Sequence, residues 1–134
     1  WSGAEKYCNI YFAQLTQGKN SSIKTDFVQY AYGVRALARR ALKNFAGAIE
    51  DDNIVIKLAS ESALAYRDRG DAYRQNGKYD LAVADYTKAI QLDNSQSSSN
   101  YWRRAKAYEK LNQSALAKQD SETAKKLDQA QSKI

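Results

Sequence analysis

The 134-residue sequence contains no histidine, no proline and no methionine, and it has one cysteine and six glycines. Without histidine, the commonest general base and a frequent metal ligand are missing. Cys8 has no second cysteine with which to form an internal disulfide or a soft metal site. We therefore expect no catalytic residue, no metal site and no cofactor. The lack of proline and the few glycines leave the elements without strong breakers, which favours long helices.

Long apolar runs are also absent. A membrane-spanning helix needs roughly 18 apolar residues, and the longest apolar-leaning stretch, residues 8–15, is shorter and interrupted by polar side chains. It does not follow a basic segment, so it does not resemble a signal peptide. We expect no membrane insertion and a cytoplasmic location. Because the chain begins at Trp1 and lacks methionine, we also expect a fragment of a longer protein, and a soluble domain of a larger or membrane-anchored protein is the alternative.

The hydrophobic periodicity is helical throughout. Apolar and small residues recur three and four positions apart, as at Ala82, Tyr86, Ala89 and Ile90, which is the pattern of one helix face. The β-branched run at residues 54–56 is the only strand competitor, and its neighbours keep the helical spacing. The predicted helices are 4–17, 25–42, 45–58, 62–75, 79–92, 98–111 and 114–127, with a polar loop at 18–22.

Internal repetition is the strongest signal. Residues 43–49 match residues 77–83 after a shift of 34 positions, so that an aromatic residue, an alanine and an aliphatic residue coincide. A shift of 35 positions takes Gly70, Tyr73, Ala82, Ala89, Leu92 and Asp93 onto Ala105, Tyr108, Ala117, Ala124, Leu127 and Asp128. The extra residue falls in the polar segment 94–97, where an insertion costs little.

The run AYRDRGDAYRQNGKYDLAVADYTKAIQLD at residues 65–93 closely resembles the tetratricopeptide repeat (TPR) family, whose period is about 34 residues. The resemblance covers roughly residues 29–131. It implies an all-α fold, a right-handed α-α superhelix (solenoid) of three helix-turn-helix repeats plus an N-terminal helix. The implied domains are 1–28, an N-terminal helix and polar loop that form a cap or the remnant of an upstream repeat; 29–62, a divergent first repeat; 63–97, the second; and 98–134, the third with a C-terminal tail. The family's proline after each second helix is replaced by Ser60, Asn94 and Gln129.

Small and aromatic residues occupy repeat-equivalent places, which predicts core packing. Close helix contacts are expected at Ala36, Gly70 and Ala105 on the first helices and at Ala48, Ala82 and Ala117 on the second helices. The gaps between helices are expected to be filled by Tyr32, Phe45, Tyr66, Tyr73, Tyr79, Tyr86, Tyr101 and Tyr108, since a buried ring removes a large apolar area from water.

In TPR proteins the binding site is a concave groove that is lined by the first helices and holds a peptide or helix of a partner. The resemblance places in this groove Tyr30, Leu37, Arg40, Leu64, Arg67, Asp71, Arg74, Trp102, Arg103, Lys106 and Lys110. Because Trp and Arg are frequent at binding hot spots, we predict that Arg67, Arg74, Trp102, Arg103 and Lys106 form a pocket for an acidic peptide. The predicted function is a non-catalytic protein–protein interaction scaffold. The alternative is that these are solvated charges on a protein of net charge +6.

Other binding functions are less well supported by these residues. One TPR subgroup clamps the C-terminal carboxylate of chaperone peptides with a Lys and an Asn of the first repeat, and Gly33 and Leu37 stand at those places. Asp68 replaces the Asn of the middle repeat and only Arg103 remains, so we do not predict chaperone-tail binding. The basic C-terminal part could meet RNA, but Asp68 and Asp71 would repel phosphates.

Self-association through the ends of the solenoid is a further alternative, because repeat arrays expose apolar ends unless they are capped. An enzyme is not indicated. Asp51 and Asp52 are adjacent, and adjacent helix residues point about 100° apart, so we predict a solvated helix face rather than a catalytic pair. Cys8 lacks an activating partner, which predicts a free and mostly buried thiol.

Overall fold

The structure, a computed structural model, describes residues 1–16 and 25–133. Within those ranges the chain forms seven α-helices and no strand: α1 Ser2–Thr16, α2 Thr25–Ala41, α3 Phe45–Leu58, α4 Ala63–Gln75, α5 Tyr79–Leu92, α6 Ser98–Lys110 and α7 Ser114–Ser132. The predicted helices are confirmed, although α1 begins earlier than expected and α7 continues past Leu127. The predicted polar loop at 18–22 lies outside the described residues. None of the helices that the structure describes is both long and apolar enough to cross a membrane.

Two compact units make up the chain, Trp1–Ser60 and Glu61–Ile134. In the first unit, α2 packs against α1 and α3. In the second unit, α4, α5, α6 and α7 pack in chain order, and α4 also contacts α6. The all-α fold is therefore confirmed, while the division of the chain into a cap and three repeats stays a prediction.

The turns between paired helices share one backbone conformation. Lys43, Gly77 and Asn112 each have a φ near +60° to +80°, with values of 63°, 78° and 58°, and each stands two residues after the end of the first helix of its pair. The next residue's amide donates to the carbonyl five positions back, as from Lys78 to Tyr73 at 2.8 Å, which satisfies a carbonyl at the helix end. Asn44 then caps α3 by accepting from the Gly47 amide at 3.0 Å.

The small residues are buried where they were predicted to be. Ala36, Ala48, Ala82, Ala105, Ala117, Ala124 and Gly70 have almost no exposed surface. A Cβ atom on Gly70 would lie 2.8 Å from the Tyr86 ring, so glycine is what allows α4 and α5 to approach at this point. Tyr86 is completely buried and packs with Ala82 and Ala107. The other predicted core tyrosines are half-buried.

The prediction that Asp51 and Asp52 lie on a solvated face is wrong, because both are buried and Asp51 is 1% exposed. Arg35 binds Asp51 with two hydrogen bonds, Nε to Oδ2 at 2.8 Å and Nη2 to Oδ1 at 2.6 Å. The desolvation that such a buried carboxylate suffers is offset by this bidentate, charge-assisted pairing.

The same ion pair recurs in the second unit. Arg69 donates to Asp85 from Nε to Oδ2 at 2.8 Å and from Nη2 to Oδ1 at 2.7 Å. Arg104 donates to Asp120 through the same atoms, at 2.7 and 2.8 Å. In every case the arginine is on the first helix of a pair and the aspartate follows 16 residues later on the second. The hydrogen bond that each arginine donates to its aspartate raises the pKa of that arginine. These ion pairs therefore tie α2 to α3, α4 to α5 and α6 to α7.

Candidate functional site

A pocket of about 300 Å³ lies in the second unit. It is lined by Arg74, Ser98, Ser99, Trp102, Arg103, Lys106 and Asp128. The α6 residues in this set are spaced three and four apart, so they lie on one face of that helix. Arg74 comes from the last turn of α4, and Asp128 comes from the part of α7 that extends beyond the predicted end of the helix.

A buried carboxylate lies behind the pocket. Asp71, which is 3% exposed, accepts a hydrogen bond from the Tyr86 hydroxyl on Oδ1 at 2.5 Å. Its other oxygen, Oδ2, accepts a short hydrogen bond from Arg103 Nη1. Arg74 donates from Nε to the Tyr86 hydroxyl at 3.1 Å, and its Nη2 lies 3.8 Å from Asp71 Oδ1. Asp71 thus joins α4, α5 and α6 in one polar network.

The protonation states in this network follow from burial and charge. Burial, followed by the neighbouring Asp71 charge, raises the pKa of the Tyr86 hydroxyl far above its usual value, so Tyr86 remains a donor at neutral pH. Burial alone would lower the pKa of Arg74, but the hydrogen bond to Tyr86 and the charge of Asp71 give a net rise. Arg74 is therefore a permanent cation.

The rim of the pocket adds further polar contacts. Arg103 donates from Nε to Ser99 Oγ at 3.1 Å, and Trp102 donates from Nε1 to Asp128 Oδ2 at 3.2 Å. Lys106 is exposed. Three cations, at Arg74, Arg103 and Lys106, outnumber the two carboxylates of the network and rim by one. The pocket thus offers a net positive charge beside an indole ring.

The structure brings together four of the five residues predicted to form this pocket, namely Arg74, Trp102, Arg103 and Lys106. The fifth, Arg67, does not line the pocket. Its Nη2 donates to Asp68 Oδ1 at 3.4 Å instead. Asp71 is buried behind the pocket rather than on its surface. The remaining predicted groove residues of the second unit, Leu64 and Lys110, are exposed and do not line the pocket.

Sequence reasoning missed Ser98, Ser99, Asp128 and the role of the Tyr86 hydroxyl. Asp128 could have been noticed, because the shift of 35 positions pairs it with Asp93. Nothing in the local pattern reports that Tyr86 and Arg103 share one carboxylate, because Asp71 is 32 residues from Arg103.

The first unit has a different, apolar groove between α1 and α2, of about 410 Å³. It is lined by Ala4, Tyr7, Cys8, Tyr11, Phe27, Tyr30, Ala31 and Val34. Tyr30, a predicted groove residue, is 73% exposed, and the other two in this unit, Leu37 and Arg40, are half-buried on α2. Cys8 is a buried free thiol as predicted, and burial raises the pKa of this thiol.

Polar and aromatic contacts hold α1 against α2. Arg39 donates from Nε to Glu5 Oε1 at 3.0 Å, and Arg35 donates from Nη1 to Asn9 Oδ1 at 2.9 Å. The Phe12 and Tyr32 rings lie 4.1 Å apart between centroids. Whether α1 acts as a cap or belongs to another repeat stays a prediction. In the described ranges, no three acidic or cysteine side chains converge as a metal site would require.

Family models described as tetratricopeptide repeat match residues 63–95 and 98–131. RNA polymerase II-associated protein 3 of Rattus norvegicus is 34% identical over 86 residues, which are 63% of this chain and 13% of that protein. The corresponding protein of Mus musculus is 36% identical over 77 residues, which are 56% of this chain and 11% of that protein. The chain therefore matches only a small part of these relatives.

Solved structures give the same fold. The second TPR of Spaghetti (RPAP3), bound to HSP90 peptide SRMEEVD, is 31% identical with a TM-score of 0.70, over 74% of this chain and 91% of that one. The structure of MamA has a TM-score of 0.75 at 24% identity, over 79% of this chain and 61% of that one, a likeness of fold alone. The TPR domain of Arabidopsis OM64 has a TM-score of 0.73 at 25% identity, over 78% of this chain and 85% of that one.

Proposed function

Because the chain belongs to the tetratricopeptide repeat family, we propose that it is a non-catalytic interaction module that binds a short acidic segment of another protein. The proposed site is the pocket lined by Arg74, Trp102, Arg103 and Lys106. The observation that supports it is the convergence of three cations beside a partly exposed indole. Such a surface attracts carboxylates and offers an apolar anchor, and Trp and Arg are the residues that most often dominate binding energies.

The similarity to a TPR domain bound to the peptide SRMEEVD supports an acidic ligand for this chain. The residues that would clamp a terminal carboxylate are missing, because Gly33 and Leu37 occupy the places of the Lys and Asn. We therefore propose that carboxylate side chains within a segment are bound, rather than the C-terminus of a chain. In that case amidation of a peptide's C-terminus changes its affinity little, whereas replacement of Glu and Asp by Gln and Asn weakens it.

A displayed library of random heptapeptides tests the proposal without a known partner. Peptides selected by the wild-type chain are expected to be enriched in Asp and Glu, with an aliphatic or aromatic residue nearby. Arg103→Gln with Lys106→Gln should remove the acidic preference, and Trp102→Ala should weaken the selected peptides by about thirtyfold. Lys118→Gln is the matched control, because it removes a cation from the exposed part of α7 outside the pocket lining. Selection without acidic enrichment by the wild-type chain contradicts the proposal.

Self-association is a second candidate, and the exposed aromatic side chains of the first unit are the observation that favours it. Tyr7, Phe27 and Tyr30 are 75%, 61% and 73% exposed, and patches of this kind often mark protein interfaces. The C-terminal helix does not offer a similar surface. At the places of Val83, Tyr86 and Ile90, α7 has Lys118, Ser121 and Lys125.

Light scattering over a range of concentrations separates the two candidates. A dimer that is lost in Tyr30→Ser supports self-association through the aromatic groove. A monomer at every concentration rejects self-association and leaves the peptide-binding proposal as it stands.

A further inference from the structure

We propose that Asp71 is a positioning residue that sets the specificity of the pocket by fixing the guanidinium of Arg103. The inference rests on the proposed binding of an acidic segment. Asp71 belongs to α4 and Arg103 to α6, so the contact between them also fixes the separation of the two helices that carry the pocket's cations. Because Asp71 is buried, it acts on a bound peptide through Arg103 rather than by touching it.

The arginine is held at two of its three nitrogens. Nη1 donates to Asp71 Oδ2 and Nε donates to Ser99 Oγ. A planar guanidinium that is bound at two nitrogens has a fixed plane and a fixed free edge. None of the residues that the structure describes accepts a hydrogen bond from Nη2 of Arg103. The two N–H groups of this nitrogen and the second N–H of Nη1 therefore remain as donors for a carboxylate on a bound peptide.

Asp71 is itself held in place by Tyr86. The Tyr86 hydroxyl donates to Oδ1, and the Tyr86 ring is completely buried. The carboxylate thus has one oxygen anchored to the core and the other directed to Arg103. A flexible surface arginine would have to lose side-chain entropy on binding, whereas Arg103 has already lost much of it in the free protein, which favours affinity for a matched ligand.

The negative charge of Asp71 also lowers the net positive charge of the pocket by one. Orientation and charge act in opposite directions when Asp71 is replaced by Asn. The variant loses the fixed Arg103 edge, which lowers affinity for a matched acidic peptide. It also gains one net positive charge, which raises the attraction for any polyanion. A residue with only a structural role would lower both kinds of binding together.

The experiment compares the full chain with Asp71→Asn in anisotropy titrations at low and near-physiological ionic strength. The probes are fluorescein-labelled SRMEEVD with an amidated C-terminus, which keeps only the side-chain carboxylates, and a short polyglutamate. Asp71→Asn is expected to weaken SRMEEVD binding by about tenfold. It is expected to strengthen polyglutamate binding by about two- to threefold at low ionic strength, with a steeper dependence on salt. A parallel loss for both probes, or no change for either, overturns the inference.

Tyr86→Phe is the second variant, and it is needed if Asp71→Asn does not fold. It removes the donor that anchors Asp71 and the acceptor of the Arg74 Nε hydrogen bond, and it leaves the charge of the pocket unchanged. We expect a loss of about threefold for SRMEEVD and no change for polyglutamate. An unchanged SRMEEVD affinity in this variant contradicts the anchoring role of Tyr86.

A measurement without ligand separates this inference from the proposed function. Slow rotation of the Arg103 guanidinium gives separate NMR signals for its Nη1 and Nη2 groups in the wild-type chain and averaged signals in Asp71→Asn. Averaged signals in the wild type overturn the positioning role even if acidic peptides bind. Separate signals in a wild-type chain that binds neither probe uphold the positioning contact and reject the proposed function.

Discussion

Gly70→Ala tests whether the close approach of α4 and α5 sets the stability of the second unit. Alanine is normally the better helix former, by about 1 kcal/mol. At position 70, however, the new Cβ would lie 2.8 Å from Cε1 and 3.0 Å from Cδ1 of Tyr86, and 3.3 Å from Cβ of Asp85. All three distances are shorter than ordinary van der Waals contact, and the two to the ring are the shortest, so the Tyr86 ring would have to move.

The ring has little freedom to do so. It is completely buried, and its hydroxyl is bound to Asp71 at 2.5 Å and to Arg74 at 3.1 Å. Overpacking of a core costs about 1–3 kcal/mol. Because the Tyr86 ring is enclosed by the core and its hydroxyl is hydrogen-bonded, this site belongs to the upper part of that range. After the gain in helix propensity, we expect Gly70→Ala to lower the free energy of unfolding by about 1–2 kcal/mol.

Gly33→Ala is the matched control, because it makes the same chemical change inside α2, where a new Cβ meets nothing within 4 Å. We expect it to stabilise the protein by about 0.5–1 kcal/mol, so the two substitutions have opposite signs. Urea unfolding of Gly70→Ala is followed by Trp102 fluorescence in a Trp1→Phe background, which reports on the second unit alone. Unfolding of Gly33→Ala is followed by circular dichroism. A Gly70→Ala variant as stable as the wild type would refute the proposed packing.

Three further predictions concern the ion pairs, Tyr86 and the free thiol. Asp120→Asn is expected to destabilise the protein by about 3 kcal/mol because it leaves Arg104 without a carboxylate, and a double-mutant cycle with Arg104→Met in urea measures the coupling. Folding raises the pKa of Tyr86, so its contribution to the free energy of unfolding should be constant below about pH 10 and fall above it by up to about 1.4 kcal/mol per pH unit. In Tyr86→Phe this contribution to the fall should be missing, which urea titrations in alkaline buffer will show. Since burial raises the pKa of the Cys8 thiol, the native chain should react with an aromatic disulfide at least about tenfold more slowly than the unfolded chain at neutral pH, and equal rates would contradict the burial of Cys8.

The helices could be predicted from the sequence because two independent periods agree. The spacing of three and four residues gives the helix face, and the repeat of 34 or 35 positions places the turns at equivalent sites, including Gly77 with its φ of 78°. Polar side chains such as Asn44 and Ser62 mark helix starts, and both accept hydrogen bonds from amides of the first turn. The helix spacing and the caps are local signals, and the repeat is found by comparing the sequence with itself, so the sequence alone is sufficient to find all of them.

The charged contacts could not be predicted in the same way. Asp51 is predicted on a solvated helix face because it is adjacent to Asp52 and adjacent helix residues point about 100° apart. The partner that allows its burial, Arg35, is 16 residues away. Only the pairing of helices brings the two side chains together. The repeat did contain a usable signal, because the shifts that align the alanines also align Arg35 with Arg69 and Arg104. Asp71 lacked even this signal, since Leu37 and Lys106 stand at the equivalent places of the other repeats.

A continuous series of contacts links the backbone of the second unit to its pocket. The missing side chain of Gly70 makes room for the Tyr86 ring, the Tyr86 hydroxyl binds Asp71, and Asp71 binds Arg103. A shift of the ring by a few tenths of an ångström at Gly70 should therefore change the orientation of Arg103, although Gly70 does not line the pocket. It follows that Gly70→Ala should weaken acidic-peptide binding at temperatures well below its unfolding transition. Gly33→Ala, which meets no neighbour, should leave that binding unchanged, so an equal affinity of both variants for SRMEEVD would show that the packing of Tyr86 and the pocket are independent.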